Sequence, residues 1–223
     1  MNSNALTVPD SPAGPYLRVI PLGGCGEIGR NMTVIETDQD LVVVDCGLMF
    51  PDEEMYGVDI VINDFTYVRE RRDKFRALLV THGHEDHIGG IPYLLREFNV
   101  PVVGTALTIA LIKAKSRDHK MIGEAQLVTV KPGDRVRYGS IETEFVHINH
   151  SVSGACALAL RTETGTVFHT GDFKFDQTPI EDVYKRQNIS RAALPRGRAC
   201  RRAPPDKNRS RFRRPVKIPP RWQ

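Results

Sequence analysis

Short apolar runs recur along the first 180 residues and predict a sheet-rich domain. Several runs alternate apolar and polar positions, as half-buried strands do, and others are wholly apolar, as buried strands are. Helical stretches lie between them, and this mixture predicts an α/β fold in which helices cover sheets. The predicted strands are Tyr16–Leu22, Met32–Glu36, Leu41–Asp45, Ala77–Thr81, Val100–Val103, Gln126–Val130, Ile141–Ile148, Ala155–Arg161 and Val167–Thr170, and the predicted helices are Asp64–Asp73, Ile88–Phe98 and Thr105–Arg117.

Two residues indicate where these helices begin. Asp64 is a good N-terminal cap for the first helix, because its carboxylate can accept a hydrogen bond from an unpaired backbone N–H. Pro92 restricts the start of the second helix, because proline fits only the first turn of a helix.

The charge distribution divides the chain into two parts. Residues 1–180 hold 17 Lys and Arg against 24 Asp and Glu, a net −7, whereas residues 181–223 hold 14 against 3, a net +11; together they give the overall +4. From Asp182 onward there are eleven arginines and six prolines. Such a composition cannot bury enough apolar surface to offset chain entropy, so residues 182–223 are predicted to be disordered. The polar residues 1–15 are predicted to be a flexible N-terminus.

The basic tail has two interpretations. It could be an arm that binds RNA through its positive charge. Alternatively it is not native sequence, because arginine, proline, alanine and glycine have GC-rich codons that an out-of-frame read produces. The string Asp182–Gln187 also matches what a sequencing-library adapter encodes in one frame. The second interpretation is favoured.

Nothing in the sequence predicts export or a membrane. No stretch approaches the length of a membrane span, and the N-terminus lacks the apolar segment of a signal peptide. The four cysteines lie far apart and form no CxxC pair, which favours reduced thiols. We therefore predict a cytoplasmic protein that does not associate with a membrane.

A dense cluster of ionisable residues directly follows the predicted strand that ends at Thr81. Three imidazoles and two carboxylates fall within six residues, and both groups are good ligands for zinc and similar divalent ions. A tight loop could direct the first two histidines to one ion and the aspartate and third histidine to a second, and three glycines nearby would let the backbone turn tightly. The predicted ligands in this loop are His82, His84, Asp86 and His87.

Three further candidates lie at or just after the ends of other predicted strands. His150 would supply a third nitrogen to the first ion, and Asp172 a carboxylate that bridges both ions. Asp45 would not bind an ion itself but would hold a ligand imidazole in one tautomer and orientation. For each there is a plainer interpretation: a strand-end histidine or aspartate is more often a hydrogen-bonded surface residue, and Asp45 could be a turn or cap carboxylate.

Two ions about 3.5–4 Å apart would share a water and lower its pKa, which supplies a hydroxide nucleophile and neutralises charge in the transition state. This chemistry by itself suits an RNA phosphodiester, a lactam or a thioester.

Asp45, the loop 82–87, His150 and Asp172 resemble, in order, the first four motifs of the metallo-β-lactamase superfamily. That resemblance implies an αββα sandwich, two sheets face to face with helices outside and a binuclear metal site at one edge. Longer strings resemble the ribonuclease J family within this superfamily. These strings are Leu22–Met32, Asp45–Pro51, Leu79–Leu94 and His169–Asp176.

The ribonuclease J resemblance implies an RNA-processing hydrolase with 5′-to-3′ exonuclease and endonuclease action. It implies two Zn²⁺, with Mn²⁺ possible, RNA as the substrate, and a homo-oligomeric parent protein. By this resemblance one ion is bound by His82, His84 and His150, the second by Asp86 and His87, and Asp172 bridges them.

The chain departs from the family pattern in two ways. Ser151–Gly154 stands where the family usually has Ser-Ile-Pro-Asp or similar, and no histidine or β-CASP domain follows Asp172. We therefore expect an incomplete sandwich, a fragment with little activity of its own. Two other functions stay open: a small-molecule hydrolase of thioesterase or lactamase type, which would need a further histidine ligand after Asp172, and a non-catalytic module that binds RNA through residues 182–223.

Overall fold

The computed structural model describes residues 13–118 and 126–175. The predictions for the basic tail 182–223 and for most of the N-terminal segment lie outside the described residues. No helix in the described part of the chain is long and apolar enough to cross a membrane.

The described residues form twelve strands, four α-helices and one 3-10 turn, at Arg72–Lys74. The strands are β1 Leu17–Gly23, β2 Met32–Thr37, β3 Leu41–Val44, β4 Leu48–Met49, β5 Val61–Ile62, β6 Phe75–Leu79, β7 Val102–Thr105, β8 Leu127–Val130, β9 Arg135–Tyr138, β10 Ile141–His147, β11 Cys156–Arg161 and β12 Thr166–His169. The helices are α1 Thr66–Arg69, α2 Glu85–Ile88, α3 Ile91–Glu97 and α4 Ala106–Asp118.

The strands form two main sheets and a small ribbon. The larger sheet has the order β1-β2-β3-β6-β7-β8; β1, β2 and β3 pair antiparallel, and β3, β6, β7 and β8 pair parallel. The smaller sheet has the order β12-β11-β10-β9 and is wholly antiparallel. Strands β4 and β5 lie within the connection between β3 and β6 and pair antiparallel with each other.

Side-chain alternation on β3 shows how the layers stack. Leu41 and Val43 belong to the apolar cluster shared with the helices, whereas Val42 and Val44 belong to the cluster shared with Phe145 and other side chains of the smaller sheet. Successive strand residues point to opposite faces, so the larger sheet is buried on both. This is the layered packing of a metallo-β-lactamase sandwich, and it confirms the predicted α/β fold class.

The outer face of the smaller sheet is built from small side chains. Ala155, Ala157 and Ala159 of β11 and its approach are buried there beside Val146 and Ile148. No helical residue belongs to this cluster, so among the described residues helices cover only the outer face of the larger sheet. That matches the prediction of an incomplete sandwich within the part of the chain that the structure describes.

All nine predicted strands are present within two residues of their predicted ends, and β4, β5 and β9 are additional. The predicted helix Asp64–Asp73 is wrong in length, because it divides into α1 and the 3-10 turn. Asp64 does accept the Thr66 N–H at 2.8 Å, but it is not the N-cap residue: that position is Phe65, which makes no side-chain cap hydrogen bond. Helix α3 begins at Ile91 rather than at Ile88, since Pro92 fits its first turn.

Asp40 joins a turn of the larger sheet to a turn of the smaller sheet. Its buried carboxylate accepts the Ser140 N–H at 2.7 Å and an N–H of Arg76, and Thr37 Oγ1 lies 3.0 Å from Ser140 Oγ. Gly139 has φ 59° and lies so close that a Cβ would stand 2.3 Å from the Asp40 carboxylate. The sheets are therefore held together by polar contacts at this end of β3.

We predict that Asp40→Ala lowers the free energy of unfolding by about 1–3 kcal/mol, because the part-buried donors of Ser140 and Arg76 lose their charged acceptor. Burial alone would raise the pKa of Asp40, but hydrogen bonds from Arg76 and Ser140 outweigh it and hold the pKa below its usual 3.8. A lowered pKa stabilises the fold above the unfolded-state value and stops doing so as pH falls through the folded value. Denaturant unfolding should thus show that the difference in free energy of unfolding between the wild type and Asp40→Ala is smaller at pH 3 than at pH 7. Asp38→Ala, at an exposed carboxylate of the same turn, is the control, and an equal loss in both variants would contradict the prediction.

Candidate metal centre

The predicted ligands lie at one edge of the sandwich because of the sheet topology. Strands β3 and β6 are parallel neighbours, so the residues after them, Asp45 and His82, meet at the same edge. The Asp45 N–H donates to the Leu79 carbonyl at 2.9 Å. His150 and Asp172 follow β10 and β12 of the facing sheet and approach the same edge from the other side.

The single-turn helix α2 directs the second half of the histidine loop. His84 is extended, with φ −75° and ψ 153°, and its carbonyl then accepts the N–H groups of His87 and Ile88, both at 2.9 Å. The chain thus turns immediately after His84, which places Asp86 and His87 on the turn.

Glycines permit this loop to pack closely, for a reason other than the predicted one. Gly89 and Gly90 have φ of −63° and −82°, values that any residue adopts. What they supply is space: a Cβ on Gly90 would lie 2.6 Å from the Gly47 carbonyl oxygen, and one on Gly47 only 1.6 Å from that of Asp86. The Gly90 N–H donates to the Cys46 carbonyl at 2.9 Å.

Asp45 is buried and its carboxylate is fully engaged. One oxygen accepts the Thr81 N–H at 2.8 Å; the other accepts the Thr81 hydroxyl at 2.8 Å and lies 2.8 Å from His87 Nδ1. The contact with Nδ1 leaves His87 Nε2 directed into the centre. Asp45 also has φ 60°, a left-handed conformation that aspartate and asparagine tolerate better than most residues.

Three imidazole nitrogens converge on one point. His82 Nε2 lies 3.0 Å from His84 Nδ1, and His150 Nε2 lies 3.1 Å from the same atom. In a tetrahedral zinc site with Zn–N bonds of about 2.0–2.1 Å, ligand nitrogens stand roughly 3.3 Å apart. These three residues therefore fit a single zinc-sized ion with little movement.

A second group shares His82 with the first. Ligand atoms of His82, His87 and Asp172 all lie within 4.8 Å of one another, and His87 Nε2 is 3.4 Å from an Asp172 oxygen. Asp86 lies at the margin of this group, its carboxylate 3.6 Å from His87 Nε2. The structure thus brings together all six residues that the sequence singles out as ligands.

Burial and charge divide the imidazoles into two kinds. Burial, reinforced by His87, lowers the pKa of His82 to about 3, and burial with the charge of His84 lowers the pKa of His150. Burial also opposes the charge on His87, but Asp45 and Asp172 outweigh it and raise its pKa to about 10. The hydrogen bond from His87 lowers the pKa of Asp172 to about 2. The Asp172 side of the centre therefore favours positive charge.

Two residues that shape the site were missed in the sequence. Thr81 connects Asp45 to the first ligand, since its Oγ1 also lies 3.0 Å from His82 Nδ1. Asn31 contacts Asp86 and His87 from a loop 55 residues away in sequence. A hydroxyl beside the histidine cluster could have been noticed, whereas no spacing in the sequence connects Asn31 to it.

Comparison with known proteins identifies the class. Residues 25–221 match the metallo-β-lactamase superfamily, and the chain belongs to that superfamily. Within it, the chain is similar to ribonucleases J. It is 46% identical over 170 residues to ribonuclease J of Synechocystis sp., covering 75% of this chain and 27% of that protein. It is 46% identical over 180 residues to ribonuclease J of Mycolicibacterium smegmatis, covering 80% and 32%. Ribonuclease J2 of Bacillus subtilis is 44% identical over 163 residues, covering 73% and 29%.

Solved structures agree on the fold. A protein of unknown function from Enterococcus faecalis superposes with a TM-score of 0.56 at 19% identity, covering 72% of this chain and 44% of that one. The metallo-β-lactamase fold protein YhfI from Bacillus subtilis gives 0.51 at 17% identity, covering 72% and 64%. The chain spans about a quarter to a third of the length of the ribonucleases J that it matches.

Proposed function

We propose that this chain carries the metal-binding part of an enzyme that hydrolyses RNA phosphodiesters with two divalent metal ions, zinc or manganese. The observation that carries the proposal is the convergence of five ligand side chains from two sheets, with Asp86 beside them, in a chain that is 43–46% identical to ribonucleases J. A cytoplasmic location and a homo-oligomeric whole protein belong to the same proposal.

In this proposal His82, His84 and His150 hold one ion, Asp86 and His87 hold the other, and Asp172 bridges them. When bound, the pair of ions supplies a hydroxide nucleophile near neutral pH and offsets negative charge on the phosphate. The distances around His84 Nδ1 support the first position, and the contacts of His87 Nε2 support the second.

One carboxylate sets the tautomers of two proposed ligands. The Thr81 hydroxyl donates to Asp45, so its oxygen accepts from His82 Nδ1–H, and His82 Nε2 is left with its lone pair toward the centre. Asp45 also accepts from His87 Nδ1–H, which directs Nε2 of that ring inward. The low pKa of His82, about 3, keeps this imidazole neutral at pH 7, as a metal ligand must be.

A hydrolysis assay on the 223-residue chain tests the proposal. We expect cleavage of single-stranded RNA that needs added zinc or manganese and stops when a chelator is present, because the proposed nucleophile forms only on the bound ions. RNA cleavage that continues in chelator would contradict the proposal. Cleavage of a chromogenic lactam or a thioester in preference to RNA would instead support a small-molecule hydrolase.

The same preparation tests the non-catalytic alternative. A module that binds RNA through its basic segment would lose affinity steeply with salt, and deleting residues 182–223 would abolish binding. If the deleted chain keeps its metal-dependent cleavage, the catalytic proposal stands without this segment.

A further inference from the structure

The side-chain amide of Asn31 contacts two proposed ligands of the metal centre, Asp86 and His87. It lies between the glycine-rich loop 23–30 and strand β2. Its Nδ2 lies 3.1 Å from an Asp86 carboxylate oxygen, 3.2 Å from the Asp86 carbonyl oxygen and 3.1 Å from His87 Nε2. The side-chain NH₂ carries two N–H donors, so it can donate to both the carbonyl and the carboxylate oxygen of Asp86.

The main chain fixes Asn31 against the same residue. Its N–H donates to the Asp86 carbonyl at 2.8 Å, and its own carbonyl accepts the Gly47 N–H at 2.9 Å. Gly47 lies so close to Asp86 that no other residue would fit. Three segments that are distant in sequence therefore meet around the Asp86 peptide.

The side-chain amide is also held in one orientation. Its Oδ1 lies against Gly24, where a Cβ would stand 2.2 Å away, and Nδ2 consequently faces the ligands. The loop is stabilised by Glu27, which accepts the Gly24 N–H at 3.1 Å and two N–H groups of Arg30 at 2.9 and 2.8 Å. Asn31 is thus a preorganised donor.

Asp86 is a proposed ligand whose carboxylate needs such a donor. Its side chain is 36% exposed, against 2% for His87, and no hydrogen bond within its own helical turn holds its carboxylate. We propose that Asn31 is a positioning residue that orients Asp86 for the second metal ion. This inference rests on the proposed function. Asn31 touches no ligand of the first group, so its effect is confined to the second position.

Zinc titration of the full chain against a competing chromogenic chelator tests the inference. Asn31→Ala and Asn31→Leu both remove the donor, and leucine keeps the size of the side chain. We expect either variant to weaken the second zinc ion by about 10–100-fold, the usual effect of losing a group that orients a ligand, and to leave the first ion unchanged. Asn63→Ala is the matched control, because Asn63 Nδ2 donates to the Arg30 carbonyl of the same loop at 2.9 Å without reaching a ligand.

The outcomes separate the inference from the function on which it rests. Wild-type affinity for both ions in Asn31→Leu overturns the positioning role, as does an equal loss in Asn63→Ala, which would assign the effect to the loop. Wild-type chain that binds no zinc overturns the proposed function first, and the inference with it. Thermal unfolding of each variant in chelator confirms that it is folded before the affinities are compared.

Discussion

His82→Ala is expected to weaken zinc binding at the first position, the one formed with His84 and His150, by about 10²–10³-fold. His82 is one of the three imidazoles proposed to hold that ion, and its buried Nε2 lies 3.0 Å from His84 Nδ1. A tetrahedral zinc site is worth about 10–16 kcal/mol spread over four ligands, and each 1.36 kcal/mol is about tenfold. Equilibrium dialysis followed by metal analysis measures the result directly.

His84→Ala and His147→Ala provide the comparison for this prediction. His84 belongs to the first group alone, so its loss should weaken one ion and spare the other. His147 ends strand β10 and belongs to neither group, so its loss should leave both affinities unchanged. Loss of both ions in His82→Ala would contradict the proposed division of the ligands, because the second position would then depend on this histidine as well.

Asp45→Ala is expected to destabilise the fold by about 3–5 kcal/mol even without metal. Asp45 is 1% exposed, and its carboxylate accepts two hydrogen bonds from Thr81 and one from His87. Removing one partner of a buried, hydrogen-bonded charge pair leaves the others unsatisfied. Denaturant unfolding in the presence of a chelator measures the loss independently of zinc.

Asp45→Asn removes the negative charge of the side chain while keeping a residue that tolerates the backbone conformation at this position. Asparagine tolerates the φ of 60° that disfavours alanine, but its NH₂ would face donors of Thr81 or His87. We expect an intermediate loss of about 1–3 kcal/mol. Asp59→Ala, at an exposed carboxylate, is the control and should change little. Wild-type stability in Asp45→Ala would mean that this carboxylate does not support the edge of the sheet.

The sheets were predictable because their signal is local. Apolar runs such as that of β3 are buried on both faces, and every predicted strand was found. Strand β9 was missed because its alternation of polar and apolar residues spans only the four positions Arg135–Tyr138, and β4 and β5 because two residues carry no periodicity. The helix Asp64–Asp73 was predicted too long because the local pattern does not reveal where the chain must leave the helix to enter β6.

The candidate ligands were predictable for a different reason. Each one follows a strand, and the carboxyl ends of strands that run in the same direction meet at one edge of a sheet whatever the loop details. The supporting contacts lack such a rule. Asn31 and Gly47 act on Asp86 through tertiary approach, and the role of Gly47 is to have no side chain where a carbonyl passes. The need for a residue without a side chain at this position is visible only in the three-dimensional structure.

The two edges of the sandwich are fastened differently. Far from the centre, the Asp40 carboxylate of the larger sheet accepts the Ser140 N–H of the smaller sheet. At the centre the Cys156 N–H donates to the Thr81 carbonyl and the Thr105 hydroxyl donates to the Gly154 carbonyl, both at 2.9 Å, and the proposed ligands come from both sheets. In the proposed enzyme the two ions would therefore add cross-links between the sheets at the edge where the chemistry takes place.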